Sequence, residues 1–342
     1  MASQVPSVDH DMRQGGNLAD VSFPGIAQPA RQSPVAGKGV LARRPMPRAG
    51  IGVSEPHWLG DPTRYLYAVL HRAAVPGARL GVLLVPPLFH EQPRSRRLLT
   101  EVASGLAAMG LPSMCFDFFG TADSAGNSDQ LDFASMCVDL DLAAQALRSE
   151  AGVERVAVIA WRGAALPVAR WIGGGGSGGD DQALVVLWEP VVDGAQWLHE
   201  LVRADAAERC SPARYRLGRP LATCGHDAQL MGVAVSRQLR SDIAGARLTV
   251  VGGRADVGGL AGTAALAGVG ALADAEALRG SRCWAVLRSP SPPLALTLER
   301  VFNVPAAAPT FDGGTRMDAG LFVTPQLKHL ADQLGRALLE AG

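Results

Sequence analysis

The segment of this chain best placed to do chemistry is Ala160-Trp161-Arg162-Gly163-Ala164. It follows an apolar run ending at Ile159 and opens a helix-like stretch. A sharp strand-to-helix turn of this kind exposes its tip residue, and a Ser, Cys or Asp there serves as nucleophile. Small residues stand at Ala160 and Ala164, where strand and helix must pass closely. The tip, however, is Arg162. A guanidinium stays protonated at any ordinary pH and cannot attack an electrophile. Placed at a helix N-terminus beside the Gly163 and Leu88 amides, it could instead hold an anion such as a carboxylate, a phosphate or an acidic sugar. His90 and Glu91 are adjacent and could trade protons, or Glu91 could simply pair with Arg94 or Arg96 at a helix start. Ser124 lies in an Asp-Ser-x-Gly stretch that reads as structural loop chemistry. Cys224, His226 and Asp227 hint at metal ligands, but no second pair stands near them, so no metal is expected.

Alternating elements position these residues. From about residue 64, apolar runs at 65–72 and 80–85 are joined by a Pro-Gly turn that predicts a hairpin. Residues 94–109 are helical in pattern, with Leu98, Leu99, Val102, Leu106 and Met109 on one face. A strand at 112–118, a helix at 131–151, a strand at 154–159 and a helix at 163–172 follow. After a glycine-rich loop comes a buried strand at 183–188. Residues 190–245 read as mostly helical, without strand signals. Strands at 247–251 and 283–287 and an amphipathic helix at 324–339 complete the pattern. Alternation of this kind predicts a mostly parallel sheet wrapped by helices.

Composition excludes several classes. Lys+Arg and Asp+Glu balance at 32 each, so nothing points to nucleic acid or an anionic membrane. No run approaches the roughly 18 apolar residues of a membrane span. No phosphate-binding P-loop or dinucleotide fingerprint occurs, and no cofactor is expected. Five cysteines without Cys-x-x-Cys spacing suit a reducing cytoplasm. Residues 1–52, rich in Pro, Gly, Ser, Gln and Arg, read as a disordered tail, or translation begins at Met46.

Two further segments carry a resemblance. Asp117-Phe118-Phe119-Gly120-Thr121-Ala122-Asp123-Ser124-Ala125-Gly126 resembles the D-x-x-G-x-G-x-S-x-G loop of serine-aminopeptidase-like and lysophospholipase-like α/β-hydrolases, with Ala122 where that pattern has Gly. Val85-Pro86-Pro87-Leu88-Phe89-His90-Glu91 occupies the place of the loop that supplies one oxyanion amide in that fold. Together with Ser95-Arg96-Arg97 and the stretch from Leu187 to Gly194, it resembles the second of two hydrolase types associated with bacterial exosortase A protein-sorting and exopolysaccharide loci. The similarity covers roughly residues 60 to 245.

The resemblance implies an α/β-hydrolase fold: a core at 53–189 and 246–342, and a helical cap at 190–245. It also implies a triad in the chain order nucleophile, acid, base. Arg162 takes the nucleophile position. Asp256, three residues beyond Gly253 after the strand at 247–251, matches the acid. The loop after 283–287 should hold the base, yet it contains no His, and His329 falls in the last helix. Two independent losses predict a pseudoenzyme. It would bind a small anionic ligand through Arg162, Gly163, Leu88, His90 and Glu91, or meet a protein partner of an exopolysaccharide or exosortase-type pathway. The alternative is an active hydrolase of an ester, thioester or amide that acts on an acyl-type substrate through a non-standard site.

Overall fold

A computed structural model describes residues 53–175, 184–210, 228–249, 275–278, 281–288, 298–306 and 324–342. All belong to the compact unit that starts at Pro47. The first elements are β1 (Ser54–Asp61) and β2 (Arg64–His71), an antiparallel hairpin. Its turn is held by the Asp61 carboxylate, which accepts the amides of Thr63 (2.7 Å) and Arg64 (3.0 Å). The order continues with β3 (Leu80–Val85), α1 (Glu91–Ala108), β4 (Ser113–Phe116), α2 (Phe133–Ala151), β5 (Arg155–Trp161), α3 (Ala165–Gly173) and β6 (Leu184–Trp188).

The sequence-predicted hairpin between 65–72 and 80–85 does not form. β2 pairs with β1 and β4, and β3 lies between β4 and β5. The reason is in the side chains. Every residue of β3 is buried, as a central parallel strand requires, whereas buried positions alternate along β2 from Leu66 to Leu70.

The eight-stranded sheet runs β1-β2-β4-β3-β5-β6-β11-β12, where β11 is Arg282–Leu287 and β12 is Arg300–Asn303. All pairings from β4 to β12 are parallel. Pleating sends Val82 and Leu84 to one face and Leu83 and Val85 to the other. Leu98, Leu99, Val102 and Leu106 of α1 cover the first face, together with Leu327, Leu330, Leu334 and Leu338 of α6 (Pro325–Ala341). Phe133, Met136, Leu140 and Leu147 of α2 and Leu166 and Val168 of α3 cover the second.

Between β6 and the later strands the chain forms α4 (Gly194–Arg209), a small antiparallel pair β7 (Gln229–Leu230) and β8 (Val233–Ala234), and α5 (Arg237–Gly245). The β7–β8 pair is a departure from the mostly helical expectation for 190–245. Each strand is two residues long, too short to leave a periodic signal. β9 (Arg247–Thr249) was expected in the main sheet. Among the described residues it pairs instead with β10 (Ala275–Ala277) in a separate two-stranded sheet.

Candidate functional site

The turn after β5 has the geometry its small residues called for. Trp161 ends the strand, Arg162 adopts φ 53°, and α3 follows within three residues. A non-glycine residue in the left-handed region costs on the order of 1–3 kcal/mol and persists only where its surroundings hold it. Here they do. Arg162 Nε donates to Glu91 Oε1 and Nη1 to the Glu189 carbonyl, both at 3.3 Å, while the Arg162 carbonyl accepts the Val191 amide at 3.1 Å. Glu91 lies in the first turn of α1 and is only 2% exposed. The Glu189 carboxylate in turn receives Arg288, with Nη2 at 3.2 Å from Oε1 and Nε at 3.4 Å from Oε2. The carboxyl ends of β5, β6 and β11 are therefore tied through Glu189, whose carbonyl accepts Arg162 and whose carboxylate accepts Arg288.

The turn is also covered. A Cβ built on Gly163 would run into the indole of Trp197, which α4 presses onto it. Trp197 is buried, and its ring centre lies 5.7 Å from that of Phe89. The tip arginine thus faces side chains of its own chain.

In the loop from Asp117 to Gly126, Ala122 has φ 46°, a left-handed conformation that favours glycine. Ser124 donates its hydroxyl to the Asp117 carbonyl (2.6 Å) and accepts the Tyr67 amide (2.9 Å), so it fastens the loop to β2. Asp117 accepts from Gln92 (2.9 Å) and Arg96 (2.5 Å). Burial raises its carboxyl above the usual range, with Arg96 pulling the other way. Asp139 was not singled out from the sequence, yet it anchors the same loop. It accepts the Phe119 amide at 2.8 Å and Arg64 at 2.5 Å, and burial pushes it up to about 6. The available signal was an acid on the otherwise apolar face of α2, one turn from Met136 and Ala143.

His90 is half-buried. Burial, with Arg94 and Arg162 nearby, pushes its imidazole down to about 4, so it is neutral near pH 7. Its Nδ1 is buried and meets no hydrogen-bond partner among the described residues. His90 and Leu88 line a cavity of about 770 Å³ between the start of α1, the 120–122 loop, α2 and the β7–β8 turn. Arg162, Gly163 and Glu91 are not among its walls. Of the expected ligand-binding set, the structure places two members in the cavity and three in the closed joint beside it.

Asp256, Cys224, His226 and Asp227 lie outside the described residues. β9, which was to deliver Asp256, is not part of the main sheet as described. The seventh and eighth strands of that sheet are β11 and β12, and the residue directly after β11 is Arg288, not an acid. No His occurs between β12 and α6. His329 is exposed on α6, 3.1 Å from Gln333. Among the described residues no cluster of His, Cys, Asp and Glu could hold a metal, and no helix is long and apolar enough to cross a membrane.

An antiparallel edge, a parallel middle with order 2-4-3-5-6, and a left-handed turn closing the central strand define the α/β-hydrolase fold. No protein-family model matches the chain, and no curated protein does. Solved structures do. The chain is similar to an α/β serine hydrolase without a lid from Xanthomonas campestris, at 17% identity over 40% of this chain and 61% of that one, with a TM-score of 0.34. It is similar to a putative hydrolase from Agrobacterium vitis, at 14% identity over 84% of this chain and 98% of that one, with a TM-score of 0.43. A proline iminopeptidase-related protein from Thermus thermophilus matches at 19% identity over 45% and 51% of the two chains, with a TM-score of 0.34. The chain spans 61% of the Xanthomonas campestris protein's length and 62% of that of a serine hydrolase homologue from Coxiella burnetii.

Proposed function

We propose that this chain is an α/β-hydrolase-fold protein without hydrolytic activity. In this reading it binds a small anionic molecule and serves as an accessory in a bacterial exopolysaccharide or exosortase-type pathway. One observation supports the loss of hydrolysis above the rest. The position of the nucleophile is held by a guanidinium that is ion-paired to Glu91, and Trp197 packs on Gly163 beside it. Ser124, the obvious substitute, spends its hydroxyl on backbone groups. The pathway assignment rests on the sequence resemblance of residues 60 to 245. The segment from α4 to α5 acts in this reading as a cap, and it seals the turn rather than admitting a substrate to it.

The test is turnover of short-chain aryl esters by the full chain, measured against a heat-treated control. The expected rate equals that of the control. A rate above it that a single substitution abolishes would establish the opposite reading, a hydrolase with a non-standard site.

A further inference from the structure

On one side of the cavity beside the closed turn, three polar side chains are spent on the protein itself. Arg96 is ion-paired to Asp117 and Asp123, so two carboxylates meet its charge. Gln92 donates to Asp117 (2.9 Å) and to the Thr121 hydroxyl (3.2 Å). Thr121 donates in turn to the Phe118 carbonyl at 2.8 Å. The opposite side is apolar, formed by Leu131, Met136, Met231, Val233 and Leu239. The volume of about 770 Å³ falls within the range of small-molecule sites, whose walls are mostly apolar.

The turn between β7 and β8 adds a second, independent observation. Met231 and Gly232 have φ 51° and 81°, the form of a two-residue hairpin turn that favours Asn, Asp or Gly in the first place. A methionine stands there instead, and its buried side chain lines the cavity. The strained residue is held in place by Asp205, whose carboxylate accepts the Met231 amide at 2.9 Å and pairs with Arg209 at 2.7 Å. Phe89 and Ala122 also have positive φ and also line the cavity. Strained conformations of this kind gather at ligand sites, and methionine adapts to irregular apolar shapes.

We infer that this cavity takes a small, uncharged aliphatic molecule, held by apolar contact rather than by a charged head. Its body lies against Met136, Met231 and Val233. Burying an aliphatic chain there releases water from both surfaces, whereas an ion gives up its hydration to enter. The site is distinct from the joint around Arg162, so the inference goes beyond the anion reading and does not need it.

Isothermal titration of the full chain with 1-hexanol, 1-heptanol and 1-octanol tests this. Each should bind saturably with one site per chain, and affinity should rise about fourfold per added methylene. Octanoate and octylamine should each bind about tenfold or more weakly than 1-octanol. Val233→Trp, at a half-buried position of the wall, should fill the apolar end and abolish 1-octanol binding. Ala234→Trp is the second variant should the first fail to fold, and the alcohol series on the unaltered chain decides the matter without either. Absence of saturable 1-octanol binding, an affinity indifferent to chain length, an ion that binds as tightly as the alcohol, or a folded filling variant that still binds would each overturn the inference. None of these results bears on ester turnover, so a failed ligand and a hidden hydrolase are told apart.

Discussion

Two neighbouring loops at the carboxyl edge of the sheet are built differently. In the loop after β4 the polar side chains work as scaffold. Ser124 ties it to β2, Asp139 ties it to α2, and Gly126 makes room for the Phe119 ring. The turn after β5 keeps the backbone of a nucleophile turn, with φ 53° at its tip, but fills it with Arg162, Glu91 and Trp197. At the first loop the side chains hold the backbone in shape, and at the second an ion pair and an indole surround the tip. Geometry at a site and chemistry at that site are separable, since one depends on backbone conformation and the other on the identity of a few side chains.

Substitutions can break or sharpen that contrast. The largest effect is expected in the scaffold loop. Asp139→Ala removes a buried carboxylate that serves both the Phe119 amide and Arg64, and breaking such a pair typically costs about 3–5 kcal/mol. Urea unfolding measures it, and a loss below 1 kcal/mol would show that the loop does not depend on α2. At the closed turn, Gly163→Ala drives a methyl group into Trp197, and overpacking of this kind costs about 1–3 kcal/mol. Trp197→Ala in the same chain should recover part of that cost, a coupling that a double-mutant cycle reads directly. Strict additivity would mean that Trp197 does not roof the turn.

Arg162→Ser should cost about 1.5 kcal/mol, the lower end for a charge-assisted hydrogen bond, because both contacts are long at 3.3 Å. It should confer no esterase activity, because among the described residues no histidine is hydrogen-bonded at the tip. Turnover by this variant would mean that an imidazole reaches the tip after all.

A further effect concerns pH. His90 is held near 4 in the folded chain against an ordinary 6.5, by burial and by Arg94 and Arg162. The unfolded chain therefore takes up this proton first. The His90 contribution to stability is present above pH 6.5 and is lost as pH falls through about 4. Asp139 works in the opposite sense. Its carboxyl is held near 6 against an ordinary 3.8, so its contribution is present below pH 3.8 and is lost as pH rises through about 6. His90→Gln removes the first term only, so the variant should lose less stability than the parent between pH 6.5 and 4. Parallel pH–stability curves would remove His90 from this account.

The turn was legible because its requirements are local. Ala160 and Ala164 announce close passage, and Arg162 declares its own chemistry. The buried face of α1 was legible for the same reason, since Leu98, Leu99, Val102 and Leu106 recur at helical spacing and all are buried. Strand pairing was not. β1 carries Pro56, His57 and an exposed Trp58, so it shows no apolar run, and β2 was assigned to β3 because the Pro-Gly turn between them looked like a hairpin. The roles of Trp197 and Asp139 were hidden for a related reason. Each acts on a backbone group far along the chain, Gly163 in one case and Phe119 in the other. Asp139 stands out as an acid on an apolar helix face, but nothing local names Phe119 as its partner, and nothing local marks the contact of Trp197.

In the proposed reading this chain carries no activated nucleophile. Incubating the full chain with a fluorophosphonate, which reacts only with activated serines, and weighing the intact protein tests that claim most directly. The account predicts unchanged mass after prolonged incubation. A stoichiometric adduct, on Ser124 or any other serine, would contradict it.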